Sequence, residues 1–584
     1  MNNVISATLV NLNHGQTYLH WSFISLSIAN LVVIVAMIVI FGLALLLPFP
    51  KAKESLPPEE KANIHYPTDP RLKNMWTARV RNFVLRVLPP GKLLPDRQPA
   101  YVASWIYVFG VATLAALGLV VLSGIVLAIG GISWWHESSL GHFINSMHLW
   151  SVELFMAFMV IHLWGKFWMA AWRGKRALTW ITGGLAFGLS ILESFTGYLS
   201  QQNFDSQWIA TNGKDAINAT GLGSFFNLTN FGQMISWHVI LLPIGLALFV
   251  MIHILLVRVR GVSHPIQKAH GRTERKALKV AEAADWRGPT RKYDILKEGT
   301  IASLIVLLLV IGLSATLSSP DDPPVTIASW SKTAPADFIA TTASELAGTS
   351  ETANYGPPYN NGSNNLQKLG VSWQMLGGVH QRIDAAQTFV LMPLSYLAPG
   401  NTKLINALSK YNQASASQQQ SWDQAYLAAV TKVSFKNDQP IVPTANDGPV
   451  PLIVASELAF AQSGAIDTSL LSQQPFYGTN YTKPLLFIED GNYFASLAKA
   501  QHLTGSQWGV MNETGSYPGQ PWLWLYTLWY QIPAFSKSAN VDLIAIYLTT
   551  TATLLLLAVP FIPGIRDVPK LIPVHRLIWR NKKN

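Results

Sequence analysis

The chain has 584 residues, of which 49% are hydrophobic and only 12% are charged, and its formal net charge is +11. This balance excludes an ordinary soluble protein and indicates a membrane protein with a substantial part outside the membrane. The chain contains no cysteine, which excludes disulfides, cysteine-ligated iron–sulfur clusters and covalently attached haem. Because the cations lie beside apolar stretches, membrane topology explains the charge better than a nucleic-acid partner.

Seven apolar stretches are each long enough to cross a bilayer as a helix. We predict spanning helices at about 21–48, 101–130, 144–168, 178–200, 234–257, 298–318 and 541–562. The first stretch could be mistaken for a signal peptide, but no Lys or Arg precedes it and no cleavage site is evident. Residues 1–50 are therefore predicted to hold a membrane anchor helix.

The basic residues are concentrated in the loops that follow the first, third and fifth spans and in the C-terminal tail. The positive-inside rule then places the N-terminus outside the cell and the C-terminus in the cytoplasm. Within the cytoplasmic segment 51–100, the basic stretch 71–92 is typical of an amphipathic helix on the inner membrane face. We predict a multi-pass protein of the cell (plasma) membrane.

Between the last two spans the composition changes to a polar stretch rich in Asn, Gln, Ser, Gly and Pro. We predict that residues 319–520 form a mainly helical extracytoplasmic domain, with helical segments at 367–397 and 402–432. The aromatic run 522–530 indicates the return to the membrane interface, where Trp and Tyr concentrate. Residues 521–584 would then comprise this interfacial segment, the last span and a basic cytoplasmic tail.

Two spans each carry a pair of histidines, His148 and His162 in the third and His238 and His253 in the fifth. Spacings of 14 and 15 residues correspond to about 21–22 Å along an α-helix, most of the thickness of a ~30 Å hydrocarbon core. Two adjacent helices of this kind can present one histidine each at two levels, which is what two stacked bis-histidine haems need. A single histidine in a membrane helix can equally be a packed, hydrogen-bonded residue with no ligand. Two pairs with these spacings are less easily explained by chance.

Two further spans carry glycine pairs with a 14-residue spacing, Gly110 and Gly124 in the second and Gly183 and Gly197 in the fourth. A missing side chain at each level lets a flat macrocycle approach the helix backbone. Small residues also serve close helix packing in membranes. The period shared with the histidines favours the first interpretation.

The order of these pairs along the chain resembles cytochrome b of the bc1 and b6f complexes. The resemblance covers about residues 75–320 and, more weakly, the last 45. The segments that carry it are TGYL at 196–199, HILLVRVRGVSHP at 253–265, YDILKEGT at 293–300 and PFIPGIRDVPKLIPVHRLIWR at 560–580. The 15-residue spacing of the second histidine pair is similar to that of the b6 proteins.

The resemblance implies an all-α integral membrane protein in which residues 101–265 form a four-helix core that binds two b-type haems. Both histidine-bearing spans are expected to run inward. His148 and His238 would therefore bind the iron of an outer haem, and His162 and His253 that of an inner haem. Residues 266–318 would form a cytoplasmic loop and the sixth span.

The chain departs from the family at the outer quinol-oxidation site. The family's Pro-Glu-Trp-Tyr motif is absent, and the sequence after the sixth span reads SSPDDPPVTIASW. Glu193 is a candidate substitute acid, or else a paired structural acid. The cations expected beside His148 and His162 are replaced by Asn145 and Gly165. Lys166 is the candidate cation for a haem propionate.

At the inner face, Asp294 matches the family's quinone-site aspartate, and Arg258 follows the ligand-bearing span as in b6 proteins. A carboxylate and a cation near the inner haem could deliver protons to a reduced quinone, either menaquinone or ubiquinone. Both residues are equally compatible with topological or lipid-facing charges.

The resemblance implies the di-haem cytochrome b subunit of a respiratory quinol:cytochrome c (bc-type) oxidoreductase. Its partners would be a Rieske iron–sulfur protein and/or a c-type cytochrome, in a homodimeric complex without nucleic acid. The alternative is a transmembrane electron conduit that lacks an outer quinol-oxidation site, with domain 319–520 docking another oxidoreductase. A scaffold or transporter derived from the fold is disfavoured because all four histidines persist.

Overall fold

The structure is a computed structural model that describes residues 10, 12, 15, 17–49, 75–88, 90–267, 271–436, 439–471, 479–504 and 515–579. Residues 51–74 of the predicted segment 51–100 lie outside the described residues. They include the start of the predicted amphipathic stretch 71–92. The rest of that stretch contains the helix Trp76–Val87, followed by the short helix Pro90–Leu93.

Within the described residues, seven helices are long and apolar enough to cross a membrane, which is the predicted number. In chain order, spans 1 to 7 are Ile28–Leu46, Trp105–Gly130, Ser139–Trp168, Ala177–Leu199, Phe231–Arg260, Ile295–Leu317 and Val541–Ala558. Large apolar side chains on these helices point away from the protein, as in Ile129 at 83% and Leu308 at 68% exposure. Exposed apolar surface of this kind is suited to contact with lipid.

The spans pack as two close helix pairs. Span 2 lies along span 3 and span 4 lies along span 5, while span 6 contacts the first pair and span 7 contacts span 4. Ala112 and Ala116 of span 2 share a buried cluster with Phe155 and Met156 of span 3. Small residues let helix backbones approach closely in membranes, so each helix carrying glycines faces a helix carrying histidines.

Two spans contain features that the sequence did not predict, a later start in span 1 and a π-helical turn in span 5. Span 1 begins at Ile28 rather than near residue 21, because Tyr18–Trp21 and Ile24–Ser27 pair as an antiparallel hairpin. Span 5 contains a π-helical turn at Trp237–Leu241, ahead of Pro243. π-turns are rare interruptions of α-helices and occur frequently at functional sites.

The region between spans 6 and 7 is mainly helical, as predicted. Its described α-helices are Ile327–Thr333, Pro335–Leu346, Trp373–Gly377, Met392–Leu397, Thr402–Gln413, Ala416–Val430, Val450–Ser463, Ala465–Leu470, Thr482–Glu489, Asn492–Ala500, Trp524–Gln531 and Pro533–Ser536. Trp330, Phe338 and Phe487 lie in its buried core, with their rings in edge contact. We call residues 319–520 the large domain.

The two predicted helical segments of the large domain are interrupted. In 367–397 the helix Trp373–Gly377 ends at Gly378, whose φ of +73° is a left-handed backbone conformation that favours glycine. In 402–432 the helix breaks at Ala414, and Ser415 caps the following helix by accepting from the Gln418 N–H at 3.3 Å. The composition of the two segments had suggested longer helices. The glycine at 378 and the serine cap at 415 divide them into shorter ones.

The loop between spans 4 and 5 is part of the large domain's packing. It forms the helix Phe204–Ala219, and Phe204 lies in the large domain's core. Lys214, only 2% exposed, pairs with Glu489 Oε1 at 2.9 Å across the junction. The large domain thus rests on the same end of the helix bundle as this loop.

The remaining elements are short. The described chain has two further antiparallel strand pairs, Arg97–Pro99 with Thr290–Lys292 and Ser434–Lys436 with Gln439–Ile441. The other short helices are Ile132–Glu137, Arg272–Ala283, Val568–Leu571 and His575–Ile578.

Candidate functional site

The structure brings His148 of span 3 and His238 of span 5 together at the end of the bundle that carries the large domain. Their imidazole ring centroids are 6.2 Å apart and the rings are nearly perpendicular, at 88°. Two metal–nitrogen bonds of about 2 Å each, with the two ring radii, account for a separation of about 6 Å. We call this pair the domain-side site.

His162 and His253 lie one level further along the same two spans, at the end that carries the C-terminal tail. The two rings are close enough to interact electrostatically with each other and with Lys166. The ammonium group of Lys166 lies 4.6 Å from the centre of the Tyr107 ring, and Tyr107 accepts a hydrogen bond from Trp579 of the tail. We call this pair the tail-side site.

Each of the four glycines faces a different one of the four histidines. A Cβ atom added at Gly197 would lie 2.5 Å from Cε1 of His238, and one at Gly183 would lie 2.9 Å from Cε1 of His253. The corresponding distances in the other helix pair are 3.2 Å from Gly124 to His148 and 3.0 Å from Gly110 to His162. The space that each glycine leaves is occupied by the edge of an imidazole ring.

The same helix turns supply hydrogen-bond acceptors for the rings. Nδ1 of His238 donates to the Glu193 carbonyl, and Nδ1 of His253 donates to the Thr179 carbonyl, each at 3.0 Å. Both carbonyls belong to the residue four positions before the facing glycine. A ligating histidine commonly donates its second ring nitrogen in this way, which orients the ring and leaves Nε2 for the metal.

In the pair formed by spans 2 and 3, His148 contacts the equivalent carbonyl but His162 does not. Nδ1 of His148 contacts the Val120 carbonyl and, at 3.0 Å, the hydroxyl of Ser123. The equivalent residue for His162 is Ile106, which lies in the 3₁₀ turn Trp105–Tyr107 before the α-helix begins. Nδ1 of His162 is buried without a hydrogen-bond partner among the described residues.

A cavity opens between the rings of the domain-side site. Its empty volume, including the part that is open to solvent, is about 870 Å³. His148, His238 and the two glycines that face them line it, together with Gln520 and Trp522 from the chain's return to the membrane. The ring separation and the cavity fit a haem with two histidine ligands, and the hydrogen bonds of the two rings to described residues involve Nδ1 rather than Nε2.

Glu193 lies beside a candidate ligand rather than alone in the membrane. Its carboxylate Oε1 is 3.2 Å from Nδ1 of His238, and the side chain is 15% exposed. A carboxylate in this position orients the imidazole and increases its basicity. The structure therefore places the Glu193 carboxylate against His238, a contact that the sequence did not predict.

At the tail end of the bundle, Asp294 is an exposed N-cap residue. Its carboxylate accepts from the Lys297 N–H at 3.0 Å at the start of span 6. Arg258 hydrogen-bonds to the side chain of Tyr293, and burial raises the pKa of that phenol. The structure thus places Arg258 against Tyr293, the neighbour of Asp294 in the chain, and sequence reasoning missed this tyrosine.

The segment after span 6, where the quinol-oxidation motif is missing, is held by polar contacts with span 3. Trp150 donates to the Ser318 carbonyl at 2.7 Å, and the Asn145 amide donates to Ser319 at 3.3 Å. Just before span 3, His136 contacts Asp321 at 2.8 Å. These contacts were not predicted, because they join residues more than 160 positions apart.

Comparisons with known proteins agree with this arrangement. Residues 153–324 match the family model described as cytochrome b(N-terminal)/b6/petB. The matched range includes three of the four histidines and the second glycine pair, whereas His148 and the first glycine pair precede it.

The chain is similar to cytochrome b6 of Heliomicrobium gestii and of Pyropia yezoensis, with 29% identity over 142 residues in each case. These alignments cover 22% of this chain and 67% and 66% of the two relatives. It is 30% identical over 141 residues to the cytochrome b subunit of the cytochrome bc complex of Chlorobaculum thiosulfatiphilum, covering 22% of this chain and 33% of that subunit. The aligned part thus spans about two thirds of the b6 relatives and one third of the longer subunit.

A chain of the solved hyperthermophilic respiratory Complex III aligns with 67% of this chain and 96% of its own length. The identity is 16% and the TM-score is 0.31, so this likeness supports no argument. The matched part of the chain, which carries His162, His238, His253 and the second glycine pair, is thus similar to cytochrome b of the bc/b6f type.

Proposed function

Because the chain carries a cytochrome b domain of the bc/b6f type, we propose that it is the di-haem cytochrome b subunit of a respiratory quinol:cytochrome c (bc-type) oxidoreductase. In this role it carries electrons across the membrane between quinone and partner redox proteins. The observation that supports the proposal best is that each histidine faces its own glycine across a close helix pair. Helix packing through small residues alone does not require that match.

We assign His148 and His238 as ligands of one b-type haem and His162 and His253 as ligands of the other. When bound, the haems supply one-electron iron chemistry. The backbone carbonyls of Glu193 and Thr179 hold the rings of His238 and His253 through Nδ1, which would leave Nε2 of each ring for the iron. Glycine at the facing positions keeps the rings close to the neighbouring helix.

Lys166 is the proposed cation for a propionate of the tail-side haem. Asp294, Arg258 and Tyr293 are the proposed groups of a quinone site at that end, for menaquinone or ubiquinone. Their support is the contact of Arg258 with Tyr293, the neighbour of Asp294 in the chain. An acid beside a cation can hold and release a proton for a reduced quinone.

The proposed partners are a Rieske iron–sulfur protein and/or a c-type cytochrome, because a chain without cysteine cannot ligate an iron–sulfur cluster through thiolates. We propose a homodimeric complex in the plasma membrane. The N-terminus and large domain would be extracytoplasmic and the tail cytoplasmic, as the basic loops indicate.

One observation favours a second candidate function, an electron conduit without quinol oxidation at the domain side. Ser318, Ser319 and Asp321, which follow span 6, make polar contacts with span 3 and the helix before it. Glu193, the candidate substitute acid, lies against His238. In this alternative the large domain docks another oxidoreductase that exchanges electrons with the haems.

The proposal is tested by redox titration of the purified full-length protein, followed in the α-band of b-type haem. We expect two components with separate midpoint potentials. His238→Ala should remove one component, and His253→Ala the other, each halving the haem content. His380→Ala is the control, because this histidine lies in the large domain against Phe225 and should leave both components.

A colourless protein, or two components that persist in both ligand variants, would overturn the proposal. The conduit is distinguished by quinol-driven haem reduction. Reduction that is insensitive to inhibitors of the domain-side quinol site, and that requires a protein donor, favours the conduit.

A further inference from the structure

The cavity of the domain-side site is completed by a segment remote from the four core spans. After the large domain, the chain returns to the bundle through the turn Pro521–Leu523. Gln520 and Trp522 from this return line the same cavity as His148 and His238. Trp522 and Leu523 also belong to the buried cluster formed by spans 2, 3 and 6.

Trp522, which lines this cavity, carries a buried hydrogen-bond donor. Its side chain is 7% exposed, and its Nε1 atom has no hydrogen-bond partner among the described residues. An indole N–H can only donate. Leaving a buried donor unsatisfied costs free energy, so such a donor in a native protein calls for an acceptor.

The cavity offers no cation to an anionic occupant. Among the described residues that line it, none is Lys or Arg, and the polar side chains are neutral apart from histidine. Asn145, which stands where the resemblance led us to expect a cation, is one of them. A b-type haem has two propionate carboxylates, and a buried carboxylate requires hydrogen-bond donors when no opposite charge is present.

We propose that the indole N–H of Trp522 donates a hydrogen bond to a propionate of the haem held by His148 and His238. The return segment of the large domain thereby becomes part of that haem's binding site. This inference rests on the proposed function, since it requires a haem at the domain-side site. This hydrogen bond would give the buried indole N–H an acceptor. It would also stabilise a propionate at a cavity whose described lining contains no Lys or Arg.

The proposal predicts a directional effect on the redox potential. A hydrogen bond to the propionate withdraws negative charge from the neighbourhood of the iron. Its removal leaves more negative charge there, which favours the ferric state and lowers the midpoint potential. Only the domain-side haem should respond, because Trp522 does not reach the other level of the bundle.

The test is a redox titration of the full-length Trp522→Phe protein, with each haem assigned through the His238→Ala and His253→Ala variants. Phenylalanine retains the aromatic packing and removes the donor. We expect a lower potential for the domain-side haem and an unchanged potential for the tail-side haem. Trp529→Phe is the matched control, because the Nε1 of Trp529 already donates to Thr549 at 2.9 Å.

Resonance Raman spectroscopy supplies a second readout in the unmodified protein. The propionate bending band should lie at the position of a hydrogen-bonded carboxylate and should move in Trp522→Phe but not in Trp529→Phe. A free-propionate band in the unmodified protein overturns the inference, including in the case that Trp522→Phe does not assemble. Unchanged potentials, or equal shifts of both haems, overturn it as well while leaving two haems and the proposed function in place.

Discussion

The proposed ligands are held by contacts that a single residue type could not provide. At His238 the ring edge fills the space left by Gly197, while Nδ1 donates to a carbonyl of the same helix turn. Glycine and the carbonyl four residues earlier therefore act together on one imidazole. His162 has the glycine but lacks the carbonyl contact, because the turn before Val108 is not α-helical. We expect His162 to have the least constrained ring of the four.

Replacing Gly197 tests this arrangement. A methyl group there would lie 2.5 Å from Cε1 of His238, whereas carbon atoms pack at about 3.5–4.0 Å. We expect Gly197→Ala to remove the domain-side haem component from the redox difference spectrum and to leave the tail-side component. Gly188→Ala is the control on the same span, where an added Cβ meets nothing within 4 Å. Equal behaviour of the two variants would contradict the assignment.

At the scale of elements, the π-helical turn in span 5 accounts for an irregular spacing. Fifteen α-helical steps overshoot the starting direction by about 60°, whereas fourteen fall about 40° short of it, so on regular helices the two histidine pairs would differ by about 100° in direction. The turn Trp237–Leu241 contains His238 and has i→i+5 hydrogen bonds. It absorbs one extra residue, so that the pair aligns with the 14-residue pair of span 3.

The start of span 6 allows the two roles of Asp294 to be separated. Asparagine caps a helix about as well as aspartate, whereas alanine costs about 1 kcal/mol. We expect Asp294→Asn to retain the melting temperature but to slow quinone-linked haem oxidation by about 10²-fold, because an amide cannot transfer the proton. Asp294→Ala should lose both properties. Asp294→Asn with unchanged electron transfer would show that the residue serves only as a cap.

At the scale of the whole molecule, the large domain contains carboxyl groups that are buried away from cations. Glu457 is fully buried in the core of the domain, and neither of its carboxyl oxygens has a hydrogen-bond partner among the described residues. Burial raises the pKa of Glu457 well above its usual range. Burial also raises the pKa of Asp423 to about 6, against the hydrogen bond from Tyr411, which lowers it.

These shifts predict how the stability of the large domain depends on pH. A group whose pKa is higher in the folded than in the unfolded state binds protons more tightly when folded. Its contribution is therefore complete below the unfolded pKa of about 4 and is lost as the pH rises through the folded pKa. We expect the melting temperature of the large domain, measured by calorimetry on the full chain, to fall between about pH 4 and pH 7.

The Glu457→Gln variant isolates one of these groups. Glutamine resembles the neutral acid, so this variant should be more stable than the unmodified protein at neutral pH and should show a smaller fall in melting temperature. Glu351→Gln is the control, because Glu351 is exposed. A melting temperature that rises with pH, or a similar effect of both variants, would contradict this account.

Much of the fold could be predicted because its signals are local. Seven long apolar stretches led to seven spans, and the histidine and glycine periods lie within single helices. The start of span 1 and the helix interruptions at Gly378 and Ala414 could not be predicted from such local signals. They depend on a hairpin, on a left-handed glycine and on a serine cap, which composition over a long window does not reveal.

The sequence by itself determined the membrane class, the number of spans, the two histidine levels and the resemblance to cytochrome b, because periodicity and hydropathy act along one helix. Only the tertiary structure decided which glycine faces which histidine, how a π-turn aligns an odd spacing, and that Glu193 lies against His238. It alone brought Trp522 to the cavity of His148, more than 370 positions away in the chain. Such contacts depend on the docking of separate elements, and no local pattern records which elements will meet.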